Sequence, residues 1–194
     1  MNGQKVFGHP PRGGGAWHAL RSVVHGCLMA LVLALALSAC TTTRASKSPP
    51  MKAKAKWVVL PAANRSTTPQ AGERLEAILL AGIRTRGVTA VDPYVSNKDA
   101  EAQILESDDQ RILAAQEYAR AHGYQYALAG TVLEWGYKGD GDAAVGLSVR
   151  VIDVPTGATL FVATGSRTGW GRANVTGDAV TLTDELLDAI KIEP

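Results

Sequence analysis

Cysteine and histidine are scarce in this chain. Its 194 residues hold two cysteines, Cys27 and Cys40, and only one of the four histidines, His122, lies beyond residue 56. The C-terminal three-quarters therefore has no thiol for a disulfide, a Cys-based metal site or a cysteine nucleophile. No G-x-S-x-G elbow marks a serine nucleophile either. Aromatic residues make up 6% of the chain, so each tryptophan needs an explanation. Acids are absent from residues 1–21 and again from residues 41–56. The one long apolar run, Val23 to Leu37, is interrupted by His25 and Gly26. It is shorter than the roughly 20 residues a membrane-spanning helix needs.

These absences frame what the N-terminus does contain. Lys5, Arg12 and Arg21 precede the apolar run, which closes on Leu37-Ser38-Ala39-Cys40. A basic leader, a short apolar segment and a small-residue cleavage site define a secretory signal peptide over residues 1–39. The tetrapeptide also resembles the bacterial lipobox, in which the cysteine becomes the acylated, palmitate-bearing new N-terminus. Cys40 is the expected lipidation site, and several acyl chains exceed what stable anchoring requires. Thr41, rather than aspartate, is what outer-membrane lipoproteins typically carry after the cysteine. The expected location is the outer membrane, lipid-anchored and facing the periplasm.

Residues 40–56 then read as the lipidated cysteine and a flexible basic linker, with five basic residues, no acid and two prolines between 41 and 56. Its charge suits anionic headgroups. From Trp57 onward the balance reverses to 12 basic against 18 acidic residues, a net of −6. An acidic domain argues against nucleic acid and for a cationic partner. Residues 57–194 are one domain's worth of chain.

Within that domain, Trp57–Leu60 reads as a buried strand. Ala71, Leu75, Ile78, Leu79 and Ile83 repeat at helical spacing up to Gly87. Val88–Val91 is a second short strand, and residues 95–106 form a polar loop. Ser107-Asp108-Asp109-Gln110 is a capping box opening a helix that ends at Gly123. Tyr124–Trp135, Ala144–Val154 and Leu160–Arg167 are strands, the last two joined through Pro155-Thr156-Gly157. A final helix carries Val175, Ala179, Leu182, Leu186 and Ile190 on one stripe. The order β-α-β-α-β-β-β-α mixes crossover units with a meander. The expected fold class is α/β (α+β), a single domain with a mixed sheet packed by helices.

Catalytic candidates are thin. His122 sits at a helix C-terminus, where its charged form suits the dipole. Gly139-Asp140-Gly141-Asp142 looks like a calcium-loop fragment, but Val151 stands where the bidentate Glu belongs; a Gly/Asp turn between strands accounts for it. Gly169-Trp170-Gly171-Arg172-Ala173-Asn174 follows the last strand, where no βαβ unit can continue, so it is no dinucleotide loop. A glycosidase would need paired carboxylates, and Glu134 with Asp140 or Asp142 is the only set available. No cofactor or metal is expected. What remains is interaction chemistry: the acidic turn at 139–142 with Trp135 and Tyr137 beside it, and the segment Gly165-Ser-Arg-Thr-Gly-Trp-Gly-Arg172.

Three stretches, Glu134-Trp-Gly-Tyr-Lys138, Ala144-Val-Gly-Leu-Ser-Val-Arg-Val-Ile-Asp153 and Thr164-Gly-Ser-Arg-Thr-Gly-Trp170, together resemble the PelC family, outer-membrane lipoproteins of the Pel exopolysaccharide export system. The likeness is strongest over residues 124–190. It implies a fold like the TolB amino-terminal domain and no enzymatic activity. It also implies a homo-oligomeric ring, twelve subunits in this family, below the export porin PelB. The ring's acidic lumen would guide a cationic, partly deacetylated exopolysaccharide for the biofilm matrix. By the same resemblance Trp170 would face the membrane interface, with Arg167 and Arg172 flanking it as headgroup or subunit contacts. Asp140 or Asp142 would face the lumen. The alternative is a TolB-like or penicillin-binding-protein-activator-like lipoprotein that docks on an envelope protein, since those share fold and lipobox.

Overall fold

Residues 41–98, 105–139, 141–169 and 174–194 are described in the computed structural model of the chain, together with the backbone of Cys40. Nine strands and three helices are present among them: β1 (Cys40–Ala45), β2 (Met51–Lys52), β3 (Trp57–Val59), β4 (Ala63–Asn64), α1 (Ala71–Thr85), β5 (Val91–Pro93), α2 (Asp108–Ala121), β6 (Tyr126–Tyr137), β7 (Ala143–Asp153), β8 (Thr159–Thr168), α3 (Val175–Asp188) and β9 (Ile192–Glu193). The expected order β-α-β-α-β-β-β-α reappears as β3-α1-β5-α2-β6-β7-β8-α3. The expected mixed sheet packed by helices is what forms.

The main sheet runs β1-β8-β7-β6-β3-β5, with β4 pairing beside β6. β6, β7, β8 and β1 are antiparallel neighbours, whereas β3 is parallel to both β6 and β5. This topology fixes the layers. The connection β3-α1-β5 moves outward across the sheet and β5-α2-β6 moves back past β3. Two right-handed crossovers travelling in opposite directions put their helices on opposite faces. The core divides accordingly. Leu75, Leu79 and Ile83 of α1 and Leu182 and Leu186 of α3 pack with Leu128, Leu147, Val149, Val151 and Phe161 on one face. Ala115 and Ala119 of α2 pack with Val58, Leu60, Tyr124, Ala127 and Ile152 on the other. The alternation of β7 follows from this, since Val145, Leu147, Val149 and Val151 all turn towards α1 and α3.

α2 and α3 begin at side-chain caps, Ser107 and Asn174, whereas Gln70 before α1 has none. Ser107 caps α2 by accepting from the Gln110 amide, and the Gln110 side chain accepts from the Ser107 amide. Asp108 and Asp109, the acids of that first turn, also tie α2 to the β4 region. The Asn64 amide donates to Asp108 Oδ2 at 2.7 Å, and Arg65 pairs with Asp109 at 2.9 Å. His122 is the C-cap, its ring stacked on Tyr118. Gly130 is a close-approach position: a Cβ there would lie 2.8 Å from side-chain atoms of both Leu75 and Leu79.

Two readings of the sequence are corrected. The second short strand falls at Val91–Pro93 rather than 88–91. Residues 40–56 are not a flexible linker. All six residues of β1 pair with β8, Met51–Lys52 pair with β9, and Met51 is fully buried. Lys56, the last of the five basic residues, donates to the His122 carbonyl at 3.0 Å and lies 4.2 Å above the Tyr124 ring. Composition suggested a linker because β1 is an edge strand and β2 is two residues long, so neither carries a run of apolar residues.

Glu76 joins α1 to α2. Its Oε1 accepts from the Ala62 amide at 2.8 Å and lies 3.8 Å from Arg111, which also reaches Asp108 at 3.6 Å. Burial raises the Glu76 carboxyl above its ordinary value near 4.5, against the pull of the Ala62 amide and Arg111. The folded protein thus holds this proton more tightly than the unfolded chain does. Its stabilising contribution is complete below about pH 4.5 and is lost as pH rises through the folded-state value. Glu76→Gln keeps the acceptor and removes the titration. The stability difference between wild type and E76Q should therefore shift against wild type from pH 4.5 to 7, measured by urea unfolding at each pH. A difference that stays constant, or moves the other way, rejects this assignment.

Candidate functional site

The register of the sheet brings the candidate residues to one end. Cys40 pairs with Thr168, Thr168 with Ala144, and Ala144 with Gly136, in a row across β1, β8, β7 and β6. Immediately beyond this row lie the turn 138–142 between β6 and β7 and the connection 169–174 between β8 and α3. The two are joined directly, because the Gly169 amide donates to the Ala143 carbonyl at 2.9 Å. Cys40 as the first residue of β1, the acidic turn and Gly169 after β8 therefore share one end of the main sheet. Nothing in their sequence separation of 128 residues or more from Cys40 to Thr168 foretold this; only the pairing of β1 with β8 does.

The acidic turn is closed by two hydrogen bonds, Gly141 amide to Lys138 carbonyl and Lys138 amide to Asp142 carbonyl, each 2.8 Å. Gly141 takes φ +86°, a conformation glycine adopts without strain. Asp142 is half-buried at the base of this turn. Trp135 is buried within β6, and its carbonyl accepts from the Thr68 hydroxyl, while Tyr137 is 64% exposed at the strand end. Trp170, Arg172 and Asp140 lie outside the described residues.

Arg167 is a correction. Read as a membrane-interface residue beside Trp170, it instead turns towards α3. Its Nε donates to Asp178 Oδ1 at 2.8 Å, its Nη1 donates to Thr41 Oγ1 at 2.7 Å, and Glu185 lies 3.5 Å away. The side chain is only 19% exposed. One guanidinium thus fastens β8 to the first turn of α3 and to β1. The sequence carried a signal for it: Asp178 follows the N-cap Asn174 by four residues on the buried stripe of α3, where a carboxylate needs a partner.

Glu134 stands on the face of the sheet away from α1 and α3. It lies beside a β-bulge in β6, where the pairing with β7 shifts between Val132 and Glu134. It lines an open depression of about 590 Å³ with Thr42, Arg44, Leu133, Gly146, Thr164 and Ser166. Asp142 is not among the residues that line this depression, so Glu134 has no carboxylate partner within it. Among the described residues no cluster of histidine, cysteine and acidic side chains is arranged to hold a metal. No helix among them is long and apolar enough to cross a membrane.

With this geometry in hand, comparison with solved structures is informative. The PelC dodecamer from Paraburkholderia phytofirmans matches with 31% sequence identity and a TM-score of 0.66, over 79% of this chain and 100% of that one. The chain belongs to the PelC family. A single-substitution variant of that PelC dodecamer, in a second crystal form, matches with the same identity and coverage and a TM-score of 0.68. A lipoprotein from Neisseria meningitidis is similar in fold alone, with 18% identity and a TM-score of 0.52 over 69% of this chain and 96% of that one. No protein-family model matches the chain, and a search of curated proteins finds no match. The matched share, 79% of 194 residues, exceeds the length from Trp57 to the C-terminus.

Proposed function

We propose that this PelC-family protein is a non-catalytic ring subunit. In this reading it is acylated at Cys40, held at the periplasmic face of the outer membrane, and passes a cationic exopolysaccharide to its export porin, PelB. The observation that carries the reading is the four-strand register Cys40–Thr168–Ala144–Gly136. An acyl chain on Cys40 would leave the domain beside the end of β8, two residues before Trp170 in the chain, which supports an anchor and an interfacial tryptophan that meet the membrane together. Arg172 would meet phosphates there, whereas Arg167 is occupied inside the domain. Ring assembly is supported by the dodecameric PelC relatives, and the acidic lumen by the −6 balance beyond residue 56.

The acidic turn lies at the same end, which would put Asp140 and Asp142 near the mouth of the ring rather than deep in it. Reversal of both, Asp140→Lys with Asp142→Lys, should reduce export of the cationic polymer at least ~10-fold. A charged gate acts through local concentration, where such factors are usual. Thermal stability is measured alongside export, because Asp142 is half-buried and its reversal carries a folding cost of its own. Normal export with normal protein levels would remove these residues from the polymer path. Native mass measurement of the detergent-solubilised, acylated protein tests the ring itself. A discrete high-order species is expected, and a strictly monomeric one would favour the docking lipoprotein.

A further inference from the structure

Among the described residues, half of one sheet face has no cover. α1 and α3 blanket one face along its length, but α2 covers the other only over β3, the start of β6 and the end of β7. Beyond α2 the floor holds Leu133, Glu134, Gly146, Ser148, Val162 and Thr164, bordered by Thr42, Ser166, Arg44 and Arg150. Three features distinguish it from ordinary solvated sheet. First, the bulge in β6 leaves Leu133 out of pairing, between Val132 opposite Leu147 and Glu134 opposite Gly146, and Leu133 is 49% exposed. Gly146 makes room for that bulge, since a Cβ there would sit 3.3 Å from Glu134 and 3.4 Å from Leu133. Second, the hydroxyls return to the strands: Ser148 Oγ donates to the Ala163 carbonyl and Thr164 Oγ1 to the Leu147 carbonyl. The floor therefore presents carbon and no free hydroxyl at these positions. Third, Arg44 and Arg150 are exposed and form no ion pair among the described residues.

The opposite side of the molecule is complementary in shape and charge. The outward stripe of α3 reads Gly177, Thr181, Asp184 and Asp188, with Val180 beside it at 40% exposure. Ala77 and Ala81 lie outward on α1. This layer is flat and small-sided. Asp184 and Asp188 share one cation, Arg86, at 3.2 and 2.6 Å, and keep side chains 51% and 73% exposed. The exposed acids Asp184 and Asp188 of α3 face one way, and Leu133 and Val162 with Arg44, Arg150 and one carboxylate, Glu134, face the other.

We infer that the uncovered sheet floor receives the α1–α3 layer of a second copy of this chain, Arg44 and Arg150 meeting the Asp184 and Asp188 end of α3. This rests on the ring reading above and specifies its interface. Because the two surfaces lie on opposite faces of one sheet, the contact is heterologous. Such a contact repeats from copy to copy instead of pairing two copies about a two-fold axis, and it forms a ring when the rotation per step closes. Exposed Leu133 and Val162 become central buried anchors, and the arginines lie at the rim.

The test places a photo-crosslinking amino acid at Val162 in the full-length protein in membranes. Covalent products are mapped by mass spectrometry, and the oligomer is weighed in detergent. The expected result is a ladder of multimers whose crosslinks fall in 73–84 or 176–188 of another copy. Crosslinks to residues 159–168 of another copy or to a different protein, or no crosslinks within an intact oligomer, overturn the interface and leave the ring standing. A monomer in detergent with no intermolecular crosslink in the membrane overturns both. Leu133→Arg, at an exposed position, should leave the melting curve unchanged and weaken oligomerisation at least ~10-fold. An undiminished oligomer in that variant also overturns the interface.

Discussion

Arg167→Ala should destabilise the domain by about 3 kcal/mol or more, the largest loss expected from any single charged residue here. The reason is the carboxylate left behind. Asp178 is 9% exposed, one of its oxygens is held by Arg167 Nε, and the other has no hydrogen-bond partner among the described residues. Removing one member of a buried pair typically costs ~3–5 kcal/mol because the survivor stays charged without compensation. Two effects moderate the loss. The first turn of α3 stabilises a negative charge at its N-terminus by up to ~1 kcal/mol, and Glu185, 38% exposed, can turn to solvent. A third effect adds to it, since Thr41 loses its partner on β8 and the edge strand is loosened. Arg167→Lys should recover only part of the loss, because an ammonium is not the planar fork that reaches Asp178 and Thr41 at once. Arg167→Met combined with Asp178→Leu should cost less than Arg167→Ala alone, since neither charge is then buried alone. Urea unfolding of the four proteins checks the series. A loss under about 1 kcal/mol for Arg167→Ala would mean that the guanidinium does not serve the fold and would return it to an outward contact.

The sequence reading missed the direction of Arg167 for a definite reason. Arg167 reads as an exposed cation because it is a charged residue near the end of a strand, next to a Gly-Trp-Gly. Its true direction depends on parity: Ala163, Gly165 and Arg167 face the helices, and the face they share is set by Phe161 and Ala163, which are buried. Period-2 alternation carried to the strand's end would have aimed it inward. Elements built on local chemistry were legible by contrast. The capping box at Ser107, the Pro155-Thr156-Gly157 turn and the alternation of β7 each announce themselves within a few residues. β1 was not legible, because Thr41-Thr42-Thr43 has β-branched side chains but no apolar stripe. An edge strand that covers α3 with Thr41 and Thr43 needs none. The convergence of Cys40, the acidic turn and Gly169 depends on β1 docking, so it was hidden for the same reason. The bulge at Leu133 was hidden because extra residues in strands leave no compositional mark unless glycine stands in the bulged strand itself; here the glycine, Gly146, is on the partner.

Cys40→Ser should shift the protein from membrane to soluble fraction by at least ~100-fold, since one tryptophan and one arginine per subunit do not replace acyl chains that contribute ~0.8 kcal/mol per buried methylene. That result alone would fit a domain on a leash as well as a seated one, and the fold distinguishes them. β1 begins at Cys40, the proposed anchor, and is paired with β8 throughout, so no free chain would intervene. Gly165 makes this docking possible: a Cβ there would lie 2.9 Å from the Thr42 carbonyl oxygen, from Thr43 Cγ2 and from Leu182 Cδ1. The two side-chain ends have freedom to yield, but the backbone oxygen moves only if β1 moves. Gly165→Val should therefore cost about 1–3 kcal/mol through overpacking and expel β1 from the sheet while Cys40 remains acylated. The six residues of β1 then become a tether reaching up to ~20 Å at ~3.3–3.6 Å per residue. The variant should stay in the membrane fraction, become cleavable after Arg44 by trypsin, and lose protection from hydrogen exchange along β8. If seating by β1 orients each subunit, export should fall in Gly165→Val although anchoring is intact. Full export with β1 demonstrably released would mean that acylation at Cys40 needs only to retain the domain near the membrane, and that orientation comes from contacts between subunits.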